Sequence, residues 1–121
     1  MKLYQYPNCS TCRKAIKLLT EQEVAFESIN ITETPPTKTE LTNMLASYKG
    51  ELRKLFNTSG VQYRELKMKD RLSIISDKEA IALLAENGKL IKRPFLLNGN
   101  GQGVVGFKEP DWLEFIRSSN G

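Results

Sequence analysis

Residues 2 to 19 read KLYQYPNCSTCRKAIKLL, and the succession of side-chain types along them decides the architecture. KLYQY alternates and carries leucine and tyrosine, which predicts a strand ending near Tyr6, after which Pro7 and Asn8 turn the chain. From Ser10 to Glu23 the apolar Ala15, Ile16, Leu18 and Leu19 recur at helical spacing, with Ser10 or Thr11 placed to cap the first amides. VAFESINI (24–31) is β-branched and aromatic and predicts a second strand near Phe26 to Asn30, closed by Pro35 and Pro36, which cannot continue a ladder. A strand, a helix and a second strand so spaced form a βαβ unit, whose strands run parallel with a right-handed crossover.

Working outward, Thr37 and Glu40 have the spacing of a capping box, and Leu41, Met44 and Leu45 give an apolar face to a helix from Lys38 to Ser47. Short helical pieces follow around Leu52, Leu55 and Phe56, break at NTSG (57–60) and resume through Tyr63, Leu66 and Met68. Ser76 and Glu79 repeat the capping signal ahead of Ala80, Ile81, Leu83 and Leu84, with Gly88 where a left-handed C-cap would stand. After Arg93-Pro94, FLL (95–97) and GVVGF (103–107) flank NGNGQG (98–103), whose glycines and asparagines accept the positive φ of a hairpin loop. A last amphipathic helix built on Trp112, Leu113, Phe115 and Ile116 frays into SSNG (118–121). The expected fold is α/β: β-α-β, a helical insertion over about residues 37–75, then β-β-α, with a small mixed four-stranded sheet flanked by helices in one domain over 1–121.

With 121 residues and 40% hydrophobic side chains, the chain has material for one core and not two. It holds no apolar run of the ~18 residues a membrane span requires, and its first residues, MKLYQYPN, lack a signal peptide's pattern. A cytoplasmic location and no membrane partner are expected. The net charge of +4 comes from 18 basic residues among 14 acidic ones and is a weak argument for nucleic acid, so no direct nucleic-acid contact is expected. From Arg53 to Arg71 the balance is less even, six cations against Glu65 and Asp70, with Lys89, Lys92 and Arg93 further on. Ordinary surface charge and a patch for an anionic ligand or acidic partner are the two readings of that run.

Cys9 and Cys12 admit three readings: a working dithiol, half of a metal site, or two small core residues. A structural zinc site takes four Cys or His ligands, and the chain has two cysteines and no histidine, so no metal is expected. The missing histidine also excludes Ser-His and Cys-His nucleophile pairs. Any activation of sulfur must then come from the amides and dipole of the following helix, with Arg13 and Lys14 in its first turn adding attraction. On this reading Cys9 is the attacking thiolate and Cys12, one helical turn on and deeper, the resolving thiol. Cys-x-x-Cys at a strand-to-helix turn of a βαβ unit is the thioredoxin-like signature, and it favours the dithiol over the core reading. In thioredoxin-like redox proteins a cis-proline just before the third strand lies against the dithiol. Pro94 occupies that place here, which would bring Arg93 close to Cys9.

With these residues in hand, the chain resembles the arsenate reductase-like (ArsC/Spx) family of thioredoxin-fold proteins. LYQYPNCSTCRKAIKLL (3–19), VAFESINI (24–31), LFNTSGVQYREL (55–66) and KRPFLL (92–97), with the glycine-bounded hairpin and Gly106-Phe107 after it, carry the resemblance nearly end to end. It implies a thioredoxin-like fold with a helical insertion, no bound cofactor, a small thiol or oxyanion substrate, and glutathione, glutaredoxin or thioredoxin as electron donor. Members that reduce arsenate attack it with the cysteine matching Cys9 and hold it with arginines. Of those only Arg93 matches, while Asn57 and Phe107 stand where the others would be and Arg64 is the nearby substitute. Ser10, Thr11, Asn57, Arg64, Arg93 and Pro94 are therefore the candidate substrate-binding residues. Spx-type regulators use the matching cysteines as an oxidative switch and bind the C-terminal domain of the RNA polymerase α subunit; Gly50 falls near the glycine associated with that contact. The leading expectation is a monomeric thiol-disulfide oxidoreductase, with a redox-sensing regulator as the alternative.

Overall fold

The alternation in KLYQ becomes strand β1 (Lys2–Gln5), in which Leu3 and Tyr4 are buried on opposite faces. The computed structural model describes residues 1–120. After β1 come α1 (Ser10–Glu21), β2 (Glu27–Asn30), α2 (Lys38–Ser47), a 3-10 turn at Leu52–Leu55, α3 (Val61–Glu65), α4 (Met68–Arg71) and α5 (Asp77–Glu86). A second 3-10 turn at Gly88–Leu90 leads to β3 (Phe95–Leu97), β4 (Gly103–Val105) and α6 (Glu109–Asn120). The sheet order is β2-β1-β3-β4. β1 pairs parallel with β2, Leu3 opposite Ser28, and antiparallel with β3, Leu3 opposite Leu96; β3 pairs antiparallel with β4. The mixed four-stranded sheet flanked by helices is the one expected from the sequence.

Each face of the sheet carries its own apolar cluster. Leu3, Leu96 and Val104 join Ala15, Leu18 and Leu19 of α1 and Trp112 and Ile116 of α6 on one side. Tyr4, Phe95 and Leu97 meet Leu41, Met44, Phe56, Met68, Ile81 and Leu84 on the other, so the helices between β2 and β3 all bury against that face. The period-2 alternation of each strand thus separates the helix pair α1 and α6 from the inserted helices.

Local chemistry differs from the expectation at four places. The first helix is capped by neither Ser10 nor Thr11 but by Cys9, whose sulfur accepts the Cys12 amide. Thr37 and Glu40 form the full reciprocal box, whereas at Ser76 the serine oxygen accepts the Glu79 amide while its hydroxyl donates to the Glu79 carboxylate. Gly88 is not a left-handed cap: α5 ends at Asn87, and a side-chain carbon at Gly88 would lie 1.9 Å from the Ile31 carbonyl oxygen. Close backbone approach, not positive φ, requires that glycine. At the far end α6 runs to Asn120 instead of fraying at Ser118, and Gly121 lies outside the described residues.

Candidate active site

The turn between β1 and α1 is closed by the Cys9 amide donating to the Tyr6 carbonyl at 3.1 Å. Cys9 is extended, at φ −103° and ψ 114°, which swings its side chain back over the first helical turn. Its sulfur then accepts the Cys12 amide at 3.3 Å and lies 3.1 Å from the Thr11 hydroxyl. Cys9 is half-buried and Cys12 fully buried, and both are free thiols.

Burial alone would raise the Cys9 pKa. Against it act hydrogen bonds from the Cys12 thiol, the Thr11 hydroxyl and the Cys12 amide, with the positive charge of Arg93, and together they hold Cys9 below the ordinary thiol range. Cys12 goes the other way. Desolvation pushes it up to about 12, its hydrogen bond to the Cys9 sulfur and that sulfur's negative charge add to the rise, and a backbone bond from Tyr6 and the Arg93 charge oppose it. One sulfur is prepared as an anion and the other kept protonated beside it. The rate of Cys9 alkylation by iodoacetamide should therefore level off at a pH below the ~8.5 of a free thiol, because only the thiolate reacts. Thr11→Ala and Arg93→Gln should each move that inflection upward, since each removes a group that stabilises the anion.

The cation that matters is Arg93. Arg13, expected to face the sulfur, instead donates to the Pro7 carbonyl at 3.3 Å and braces the turn. Arg93 lies with its guanidinium carbon 4.9 Å from the centre of the Tyr6 ring, a cation–π contact that fixes it beside the dithiol turn. Its Nη1 is buried and has no hydrogen-bond partner among the described residues. The Arg93-Pro94 peptide is cis, and Pro94 is buried immediately before β3.

Beside this turn opens a groove of about 660 Å³ whose lining includes Thr11, Lys54, Phe56, Arg93, Phe107 and Trp112. Thr11 and Arg93 connect it to the Cys9 sulfur. The other sequence candidates are dispersed. Ser10 is exposed at the start of α1. Asn57 turns its amide to the Lys89 carbonyl at 3.5 Å, and Arg64 is exposed on α3; neither lines the groove. Gly50 is exposed after α2 at φ +82° with nothing within 4 Å of a side-chain position. Sequence reasoning did not find Tyr6 or Lys108 as site residues; a lone aromatic at a strand end and a lysine before Glu109 carry no local signature.

This geometry has relatives. A 45% identical protein of Bacillus subtilis, the uncharacterized protein YusI, aligns over 94% of this chain and 96% of its own length. The global transcriptional regulator Spx of Streptococcus agalactiae is 33% identical over 94% of this chain and 81% of its own. A solved structure described as a possible arsenate reductase from Streptococcus mutans superposes with a TM-score of 0.84 at 41% identity, covering 92% of this chain and 95% of that one. The model of the ArsC family matches residues 4–115, which hold the dithiol turn, Arg93-Pro94 and the whole sheet core. By sequence and by its thioredoxin-like fold, the chain belongs to the ArsC family.

Proposed function

We propose that the protein is a thiol-disulfide oxidoreductase in which Cys9 attacks a small oxidised substrate and Cys12 resolves the product. The observation that carries this reading is the Cys9 sulfur at the mouth of α1, accepting the Cys12 amide beside Thr11 and Arg93, while Cys12 stays buried and protonated. Cys9 thiolate forms a mixed disulfide; Cys12 then displaces the bound group, leaving a Cys9–Cys12 bridge, and an external thiol or dithiol such as glutathione, glutaredoxin or thioredoxin returns the two electrons. Thr11, Arg93 and Pro94, with Ser10 at the turn, form the substrate contact. Arsenate is a poor fit as substrate. A divalent oxyanion needs several charge-assisted donors, and Asn57 and Phe107 replace two of the arginines that the resemblance implies. Exposure of the reduced protein to excess glutathione disulfide should yield a Cys9–Cys12 bridge by mass spectrometry, and a glutathione adduct on Cys9 when Cys12 is replaced by serine. If neither cysteine is modified, the enzyme reading fails.

A second reading has its own support in the 33% identity to Spx and in the exposed, positive-φ Gly50. On it the dithiol is a switch that controls binding to the C-terminal domain of the RNA polymerase α subunit. A pull-down that recovers that domain in neither oxidation state removes this reading.

A further inference from the structure

Arg53, Lys54, Lys92, Arg93 and Lys108 bring five cations to the groove beside Cys9, where Glu51 and Asp111 are the acidic members of the lining. Among the described residues, none of the five is within salt-bridge distance of any carboxylate. They come from three separate places: the 3-10 turn at Leu52–Leu55, the approach to β3, and the turn between β4 and α6. Unpaired charge of one sign around a concavity focuses potential and concentrates ligands of the opposite sign. The spread matters too, because cations on three elements surround a ligand with several negative groups and do not converge on one. The volume, about 660 Å³, falls within the ~300–1,000 Å³ typical of small-molecule sites.

Thr11 joins the two features, since its hydroxyl touches the Cys9 sulfur and its side chain lines the groove. A group bonded to that sulfur therefore has the groove next to it. We infer that the groove receives a small thiol bearing two or more carboxylates, presented as one half of a disulfide, an assignment that rests on the oxidoreductase reading above. Cys9 thiolate attacks the sulfur of the acidic half; the substrate S–S bond breaks, and the other half leaves as a thiolate that takes a proton from water. Cys12 loses its proton to solvent, its sulfur attacks Cys9, and the acidic thiol departs. The disulfide has become two thiols and the protein dithiol one disulfide, a balanced two-electron exchange.

The test follows single-turnover oxidation of the reduced protein by three symmetric disulfides: that of mercaptosuccinic acid, bis(2-hydroxyethyl) disulfide and cystamine. The expected order is acidic, neutral, cationic, with about a tenfold advantage of the acidic over the neutral probe at low salt. That advantage should shrink as ionic strength rises from about 0.02 to 0.5 M, because screening shortens the reach of the groove's field. The double variant Lys54→Gln/Lys108→Gln, its folding checked by thermal melting, should bring the acidic-to-neutral ratio most of the way to one. Equal rates with all three probes, or an undiminished ratio in the folded double variant, overturn the groove assignment while leaving the oxidoreductase intact. Failure of Cys9 to react with any of the three overturns the oxidoreductase reading and the groove with it.

Discussion

Cys9→Ser should lower thiol-dependent turnover by on the order of 10³-fold or more, the scale seen when a covalent nucleophile is removed. A serine hydroxyl at the same N-cap would still accept the Cys12 amide, so α1 keeps its cap and the protein its fold. What disappears is the capacity to form a sulfur–sulfur bond. Cys12 cannot take over, because it is fully buried and burial holds its thiol protonated. Cys12→Ser should behave differently: the first attack proceeds, one equivalent of the leaving thiol appears as a burst, and the mixed disulfide on Cys9 accumulates. Burst amplitude and intact mass of the two variants check the assignment. A burst from Cys9→Ser, or none from Cys12→Ser, would reverse the roles of the two sulfurs.

The asymmetry between the cysteines comes from the fold and not from their spacing. Both belong to one turn of α1, but Cys9 terminates the loop while Cys12 points under the helix at zero exposure. Amide, hydroxyl and guanidinium donors therefore converge on one sulfur, and desolvation acts chiefly on the other. Arg93 reaches the pair from β3, the strand hydrogen-bonded beside β1, so the central pairing of the sheet sets the distance between the thiolate and its cation.

Much of this was legible in the residues. Alternation in KLYQY, the apolar spacing through Leu19, the Thr37 box and the glycine-rich hairpin are short-range signals, and each produced the element expected of it. Cys-x-x-Cys and Arg93-Pro94 were legible because a turn and a strand entry are local features. The basic run was only half legible. Arg53, Lys54, Lys92 and Arg93 meet at the groove, whereas Arg64, Lys67, Lys69 and Arg71 do not line it, and the distinction depends on which way short helices turn after Gly60. Lys108, Tyr6 and the true role of Gly88 were hidden for the same reason: each is defined by contact with a segment distant in the chain or by a backbone approach with no sequence signature. Arg13 misled because charge in the first turn implies attraction to the sulfur, but a carbonyl at Pro7 is the nearer partner.

Trp112→Ala should cost about 3–5 kcal/mol, the range for removing a buried aromatic side chain. Trp112 is fully buried in the cluster that joins α1 and α6 to the sheet, and its ring meets Phe107 edge-on with centres 5.4 Å apart. Its indole N–H donates to the Gly106 carbonyl at 2.6 Å, which ties the first turn of α6 to the end of β4. Truncation opens a cavity and also strips that carbonyl of its donor. Against a domain stability of roughly 5–15 kcal/mol, such a loss is a third of the total or more. Trp112→Phe separates the two contributions: it keeps most of the apolar volume and gives up the hydrogen bond, so about 1–3 kcal/mol should go. Urea unfolding of the three proteins reads both differences. Gly106, Phe107, Lys108 and Trp112 all line the groove, so Trp112→Phe should also reduce the preference for the acidic disulfide while Cys9 alkylation keeps its pH profile. A Trp112→Ala protein as stable as the parent would mean that α6 is not held to the sheet by this residue, and the groove wall would then need another support.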